Sequence, residues 1–373
     1  MGQIEPLRLS DKDEEELSIG LFRDWWIAAI QTMVDEVGSE TGLRFLKPYH
    51  VNAGRAAAHQ IQSIMGYRPT NPGEAMALWN GFVDWIITGG IHRIWTDGKD
   101  TAIAEATDCE LLKKYGCKEP CILVCRYGGE EGGAELIPGF VLEHTSSEGL
   151  GDDKCRWMMT RKGMEPALNC NIPVDIPSTS KELLSYLLLA YFGECWVIVT
   201  RAFIDSSGPE KAGEKLTSRA RQSGLFVGAR LKKLMELERL DAPSAVRIVL
   251  GLESLHQMKC AIELGNDFSQ GSINECPFSD SPIEICVQYE AFFNGVFAAI
   301  SPGFEFAYDR MMTKGDKTCH WTIRKKWEVA EEKTKEERAS DDPIRMLTSM
   351  YIKGEITEEE FRKKMAVLKE FEL

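Results

Sequence analysis

The sequence predicts an α+β protein made of two homologous domains, each a helical layer plus a small antiparallel sheet, followed by a C-terminal helical hairpin. Three observations carry this prediction. Apolar residues recur at helical spacing in the first half of each domain. The second half alternates as strands do. The whole pattern then occurs again, in the same order, about 165 residues further on.

In the first copy, "FRDWWIAAIQTMVDEVG", "AGRAAAHQIQSIMG" and "GEAMALWNGFVDWIITGG" read as three amphipathic helices. "IHRIWTDGKDTAIAEATDC" reads as two strands around an Asp-Gly turn. A short cysteine-bearing helix follows, and strands near "AELIPGFVLEHT" and "DKCRWMMTRK" close the copy. In the second copy the closing strands are "GFEFAYDRMM" and "KTCHWTIRKKW". "YGGEEGG", from Tyr127 to Gly133, reads as a flexible acidic loop; it lacks the Lys and Ser/Thr of a phosphate loop.

Slid by 170 residues, Phe22 meets Phe192, Trp26 meets Trp196, Gly38 meets Gly208 and Gly54 meets Gly224. Slid by 164, Pro138-Gly139-Phe140 meets Pro302-Gly303-Phe304, Gly151-Asp152 meets Gly315-Asp316, Cys155 meets Cys319 and Trp157 meets Trp321. Cys109 aligns with Cys276 at 167 and Cys121 with Cys286 at 165, a drift expected of loop insertions and deletions. Copies this long exceed solenoid periods and mark two domains. The boundaries read as 1–170, a Pro-containing linker at 171–180, 181–328, a charged linker at 329–341 and a hairpin at 342–373. In the hairpin, Asp342 caps, Pro343 takes the first turn, Gly354 ends the first helix, and Thr357 with Glu360 forms a capping box. Its apolar stripes, Ile344, Leu347, Met350 and Tyr351 on one helix and Phe361, Met365 and Leu368 on the other, need a surface to dock on.

Composition excludes some functions. A net charge of -14 argues against a nucleic-acid partner. The first residues lack the basic and apolar regions of a signal peptide, so a cytoplasmic location is expected. The apolar run from Leu183 to Thr200 is nearly long enough for a membrane span, but Glu194 interrupts it and a buried helix is expected instead. Eleven cysteines in a reducing compartment are expected as free thiols, core fillers or metal ligands.

The repeated triads are Cys109, Cys121 and Cys155 in the first copy and Cys276, Cys286 and Cys319 in the second. Cys286 lies near a predicted helix start, where a thiol pKa is lowered and the thiol becomes a better nucleophile. Glu290, one turn on, could activate water, and Arg310 could hold a substrate carboxylate. Each has a plainer reading, as a surface carboxylate and a strand-edge cation. Three thiolates with His320 would suit zinc, but strand alternation turns Cys319 and His320 to opposite faces. Cys117, Cys121 and Cys125 recur every fourth residue, and with Cys109 would suit zinc or an iron–sulfur cluster, although Pro120 interrupts the span. Buried packing is the competing reading for every one of these thiols. His92 and His144 read as satisfied, partly buried histidines, and Trp157 and Trp321 as core anchors.

Three resemblances rest on these residues. The Cys276-Pro277, Glu284-Ile285-Cys286, Glu290 and Gly315-Asp316-x-x-Cys319-x-Trp321 elements resemble the L-2-amino-thiazoline-4-carboxylic acid hydrolase family. The first copy departs from that pattern. It lacks Pro after Cys109, and Cys125 stands where the second copy has Glu290. The resemblance implies hydrolysis of a small C–N/C–S heterocycle or amide, with Cys286, Glu290 and Cys319 catalytic and Arg310 and Cys276 binding substrate. The order of helices, cysteine and paired strands distantly resembles vinyl-reductase-like ligand-binding domains, which implies a small-molecule or metal-binding accessory role instead. "LTSMYIKGEITEEEFRKKMAVL" resembles a SHOCT module, which implies a homo-oligomer or a protein partner through residues 342–373.

Overall fold

The computed structural model describes residues 23–84, 91–116, 118–167, 169–178, 181–235, 241–254, 258, 260–264, 268–325, 347 and 361–365. Its contacts divide the chain into two compact units, one ending at Ala212 and the other beginning at Gly213. Each mixes helices with one small antiparallel sheet, so the chain is α+β.

The first unit opens with α1 (Trp25–Val37), α2 (Ser39–Met65) and α3 (Pro72–Val83). Asn71 caps α3 by accepting from the Glu74 N–H at 3.0 Å, with Pro72 in the first turn. The strands β1 (Ile91–Thr96) and β2 (Thr101–Thr107) form the expected hairpin, and α4 (Glu110–Tyr115) follows. A composite helix α5 (119–136) then leads to β3 (Phe140–Ser146) and β4 (Cys155–Arg161). The sheet order is β3-β4-β2-β1-β5. The edge strand β5 (Ile172–Val174) lies inside the stretch read as a linker, paired with β1.

The next helix, α6 (Lys181–Ser207), is the sequence counterpart of α1, yet it packs in the first unit. Trp25 meets Trp196 edge-on at 5.6 Å, Phe82 meets Tyr191 at 5.4 Å, and Tyr49 donates to Asp205 at 3.0 Å. Within the apolar run, Tyr191, Cys195, Trp196 and Val199 are buried. Among the described residues no helix is long and apolar enough to cross a membrane.

The second unit contains most of α7 (Pro209–Leu234), then α8 (Ala242–Ser254), β6 (Cys260–Leu264), β7 (Phe268–Ile273), α9 (Ile283–Ile300), β8 (Phe304–Arg310) and β9 (Cys319–Lys325). Its sheet order, β6-β7-β9-β8, repeats β1-β2-β4-β3 of the first unit. The irregularity between Tyr308 and Arg310 falls where the first copy has one between His144 and Ser146. Phe293, Phe297, Phe306 and Trp321 form the centre of this core.

Two devices are common to both copies. The Gly-Asp of Gly-Asp-x-x-Cys-x-Trp builds a turn. Gly315 has φ 93° and Gly151 φ 102°, a conformation that side chains with a Cβ rarely adopt. Asp316 accepts the Met311 N–H at 2.8 Å, and Asp152 accepts the Ser147 N–H at 2.7 Å. Asp316→Ala is expected to cost about 1–2 kcal/mol by orphaning that N–H, measured by urea unfolding. Helices also cross at glycine. A Cβ on Gly54 would lie 2.1 Å from the Gly128 carbonyl oxygen, and one on Gly224 would lie 2.0 Å from that of Phe292.

The structure corrects two expectations. "YGGEEGG" is helical, not a loop. Its glycines serve packing: a Cβ on Gly132 would lie 2.3 Å from the Trp79 ring, and one on Gly133 2.2 Å from Leu142. The one-residue drift between the Cys121/Cys286 and Pro138/Pro302 alignments is not absorbed in a loop either. It falls within α5, whose stretch Ile122–Gly128 is π-wound, whereas the counterpart α9 is a regular helix. A π turn is the way a helix takes in one extra residue.

Of the tail, Leu347 and Phe361–Met365 are described; the charged linker and the rest of the hairpin lie outside the described residues. Leu347 is buried against Phe361, Met365 and Phe226 of α7, so residues from both apolar stripes meet on the second unit.

Candidate thiol site

In the second unit, Cys276, Cys286 and Cys319 line one cavity with Met258, Ile273, Phe278, Ile285, Tyr289 and Tyr308. Its enclosed volume is about 10 Å³, and it is partly open. Pairing explains how three cysteines distant in sequence arrive together. Ile273 of β7 is the register partner of Cys319 on β9, and the chain turns back three residues later at Cys276. The first turns of α9 supply Ile285 and Cys286.

The three thiols differ sharply. Cys319 accepts the Met312 N–H at 3.3 Å from the Gly-Asp turn. It also accepts a hydrogen bond from the Cys276 thiol, which lowers its pKa most; burial opposes, and the net result is a fall to about 7. The same hydrogen bond, with burial, pushes the Cys276 thiol up. Of the two, Cys319 is the one lowered and so the first to ionise, and Cys276 the one raised. Cys286 runs against the expectation drawn from its place near a helix start. Burial pushes its pKa up, and its contact with Thr313 Oγ1 at 3.2 Å only partly offsets this. Only 7 % of the residue is exposed, so desolvation outweighs the helix terminus.

Glu290 does not line the cavity. Its Oε2 accepts the Tyr308 N–H at 3.0 Å and ties α9 to β8, while Asn294 holds Phe306 in the same way. Arg310 is exposed, beside His320 in the sheet register, and does not line the cavity. His320 Nδ1 meets Asp309 Oδ1 at 2.5 Å, on the sheet face away from Cys319.

Sequence reading missed Glu253. It lies near the end of α8 and is fully buried, accepting from the Cys260 thiol at 2.7 Å. Trp321 lies beside it, yet neither Glu253 Oε1 nor Trp321 Nε1 has a well-formed hydrogen bond. Burial raises its pKa to about 8, only partly countered by Cys260. The signal was present in "RIVLGLESL", a carboxylate within an apolar helix.

In the first unit Cys109, Cys121, Cys125 and Cys155 are all buried and close enough to influence one another. The Cys109 hydrogen bond works to lower the Cys121 pKa, but the bond to Cys125 and burial prevail and push it up. Burial raises Cys155 to about 11, despite a hydrogen bond from the Glu148 backbone. Cys117 lies outside the described residues. Among the described residues no group of three or more His, Cys, Asp or Glu side chains is arranged to hold a metal ion. Of the expected ligand set, Cys109, Cys121 and Cys125 are buried near one another, and Cys117 is the residue outside the described ones. His92 and His144 stack on opposite sides of Trp157 at 6.2 and 4.9 Å. Burial lowers both to about 4, so they are neutral, partly buried histidines.

No family model, curated protein or solved structure matches the chain.

Proposed function

We propose that the second unit is a thiol-dependent hydrolase centre for a small C–N/C–S heterocycle or amide of the 2-aminothiazoline-4-carboxylate kind. The observation that carries this reading is the Cys276–Cys319 pair lining one cavity, with Cys319 further held by the Met312 N–H. In this reading Cys319 Sγ adds to the C=N carbon, and the π electron pair moves to nitrogen. The Cys276 thiol supplies the proton that nitrogen takes up. Water then replaces the Cys319 thiolate at that carbon, one proton returning to Cys276. The hydroxyl left on carbon collapses to C=O, the ring C–S bond breaks and the leaving sulfur takes the hydroxyl proton, so that the net change is addition of one water. Glu290 is a positioning residue here, acting through the Tyr308 backbone.

The test is incubation of the full chain with 2-aminothiazoline-4-carboxylate, following the ring-opened product by mass spectrometry. Cys319→Ser is expected to lower the rate by a factor on the order of a hundred or more, with Cys155→Ser unchanged. Binding of the compound without turnover, unaffected by Cys319→Ser, would instead favour a non-catalytic small-molecule-binding module.

A further inference from the structure

We infer that Cys319 and Cys276 form a redox-active dithiol, with hydrogen peroxide or a similarly small hydroperoxide as its oxidant and an internal disulfide as its product. Both thiols line the same cavity, close enough for each to shift the other's ionisation. Backbone pairing brings them to one cavity: Cys319 opens β9 opposite Ile273, and Cys276 opens the turn three residues after Ile273. The cavity, with about 10 Å³ of enclosed space, is lined by both thiols and suits a small oxidant. The Met312 N–H stabilises negative charge on Cys319 Sγ, and thiolate character sets susceptibility to oxidation.

The chemistry balances without another reactant. Cys319 thiolate attacks one peroxide oxygen and the O–O bond breaks. The leaving hydroxide takes the Cys276 proton to become water, and Cys319 becomes a sulfenic acid. The Cys276 thiolate then attacks Cys319 Sγ, forming the S–S bond and expelling hydroxide, which takes a proton from solvent. One thiolate, one thiol, one peroxide and one proton give a disulfide and two waters. The first unit is an internal comparison. There burial shifts Cys155, the counterpart of Cys319, upward.

The experiment uses the reduced full chain. It is treated with stoichiometric hydrogen peroxide, alkylated, digested and mapped by mass spectrometry. The expected result is a cross-linked peptide pair joining Cys276 to Cys319, with Cys121 and Cys155 alkylated as before. The initial rate should fall about a hundredfold between pH 8 and pH 5, as the Cys319 thiolate is protonated. Cys276→Ser should stop at a sulfenic acid on Cys319 that dimedone traps. Preferential oxidation of first-unit thiols, or a disulfide that joins Cys286 instead, would overturn the inference. So would a Cys319 that stays reduced in the unmodified chain, a result that needs no variant to fold. The disulfide is read independently of ring opening, so either proposal can fail while the other stands.

Discussion

Glu253→Gln is expected to stabilise the second unit at pH 8 by several kcal/mol, and to leave its stability at pH 4.5 nearly unchanged. The native carboxyl is fully buried and holds its proton up to about pH 8, whereas its ordinary value is 4.5. Between those values the unfolded chain binds fewer protons at this position than the native one. Stability is therefore present in full below pH 4.5 and falls as pH rises through 8. The shift corresponds to a loss on the order of 4 kcal/mol. A glutamine keeps the shape and has no charge to desolvate. Urea unfolding of both proteins across this range, read by hydrogen exchange of the β7 and β9 amides, isolates the effect, because every other carboxyl titrates alike in the two. A constant difference between variant and wild type from pH 4.5 to 8 would show that Glu253 does not carry its proton into the neutral range.

Two identical substitutions on α7 should have opposite signs. A Cβ on Gly224 would lie 2.0 Å from the Phe292 carbonyl oxygen and 3.0 Å from the Val296 nitrogen. These are backbone atoms of α9, which cannot yield without moving the helix. Gly224→Ala should cost about 3 kcal/mol, the upper part of the range for overpacking. A Cβ on Gly213, eleven residues earlier, meets only Glu284 Cγ at 3.6 Å, an ordinary contact with a movable side chain. Gly213→Ala should stabilise by about 0.5–1 kcal/mol through helix propensity and the loss of unfolded-state freedom. Denaturant midpoints of the two variants decide it. Destabilisation by both would mean that the α7–α9 crossing is not what sets Gly224 apart.

The same crossing explains why the repeat was visible. Gly54 and Gly224 align because both copies bring two helices to backbone contact at that place. Gly151-Asp152 and Gly315-Asp316 align because each turn needs a left-handed residue and a carboxylate to receive a backbone N–H. Recurrent turn chemistry and apolar period are local, so they were legible as α+β with two sheets. "YGGEEGG" misled for the converse reason: a glycine required by a neighbour's bulk looks in sequence like one required by flexibility.

Sequence by itself determined the duplication, the helix-then-strand order of each copy, the turn before the last strand and the opposite orientation of Cys319 and His320. All of these follow from spacing along one chain. Tertiary structure alone decided what the spacing could not carry. It put α6 with the first unit, tied Glu290 to a backbone amide, and left Arg310 outside the cavity. It also chose among the thiols: Cys286, favoured by its helix start, is raised by burial, while Cys319 is lowered by Cys276 from a different segment. A pKa depends on desolvation and on partners brought near by folding, and neither is written in the order of residues.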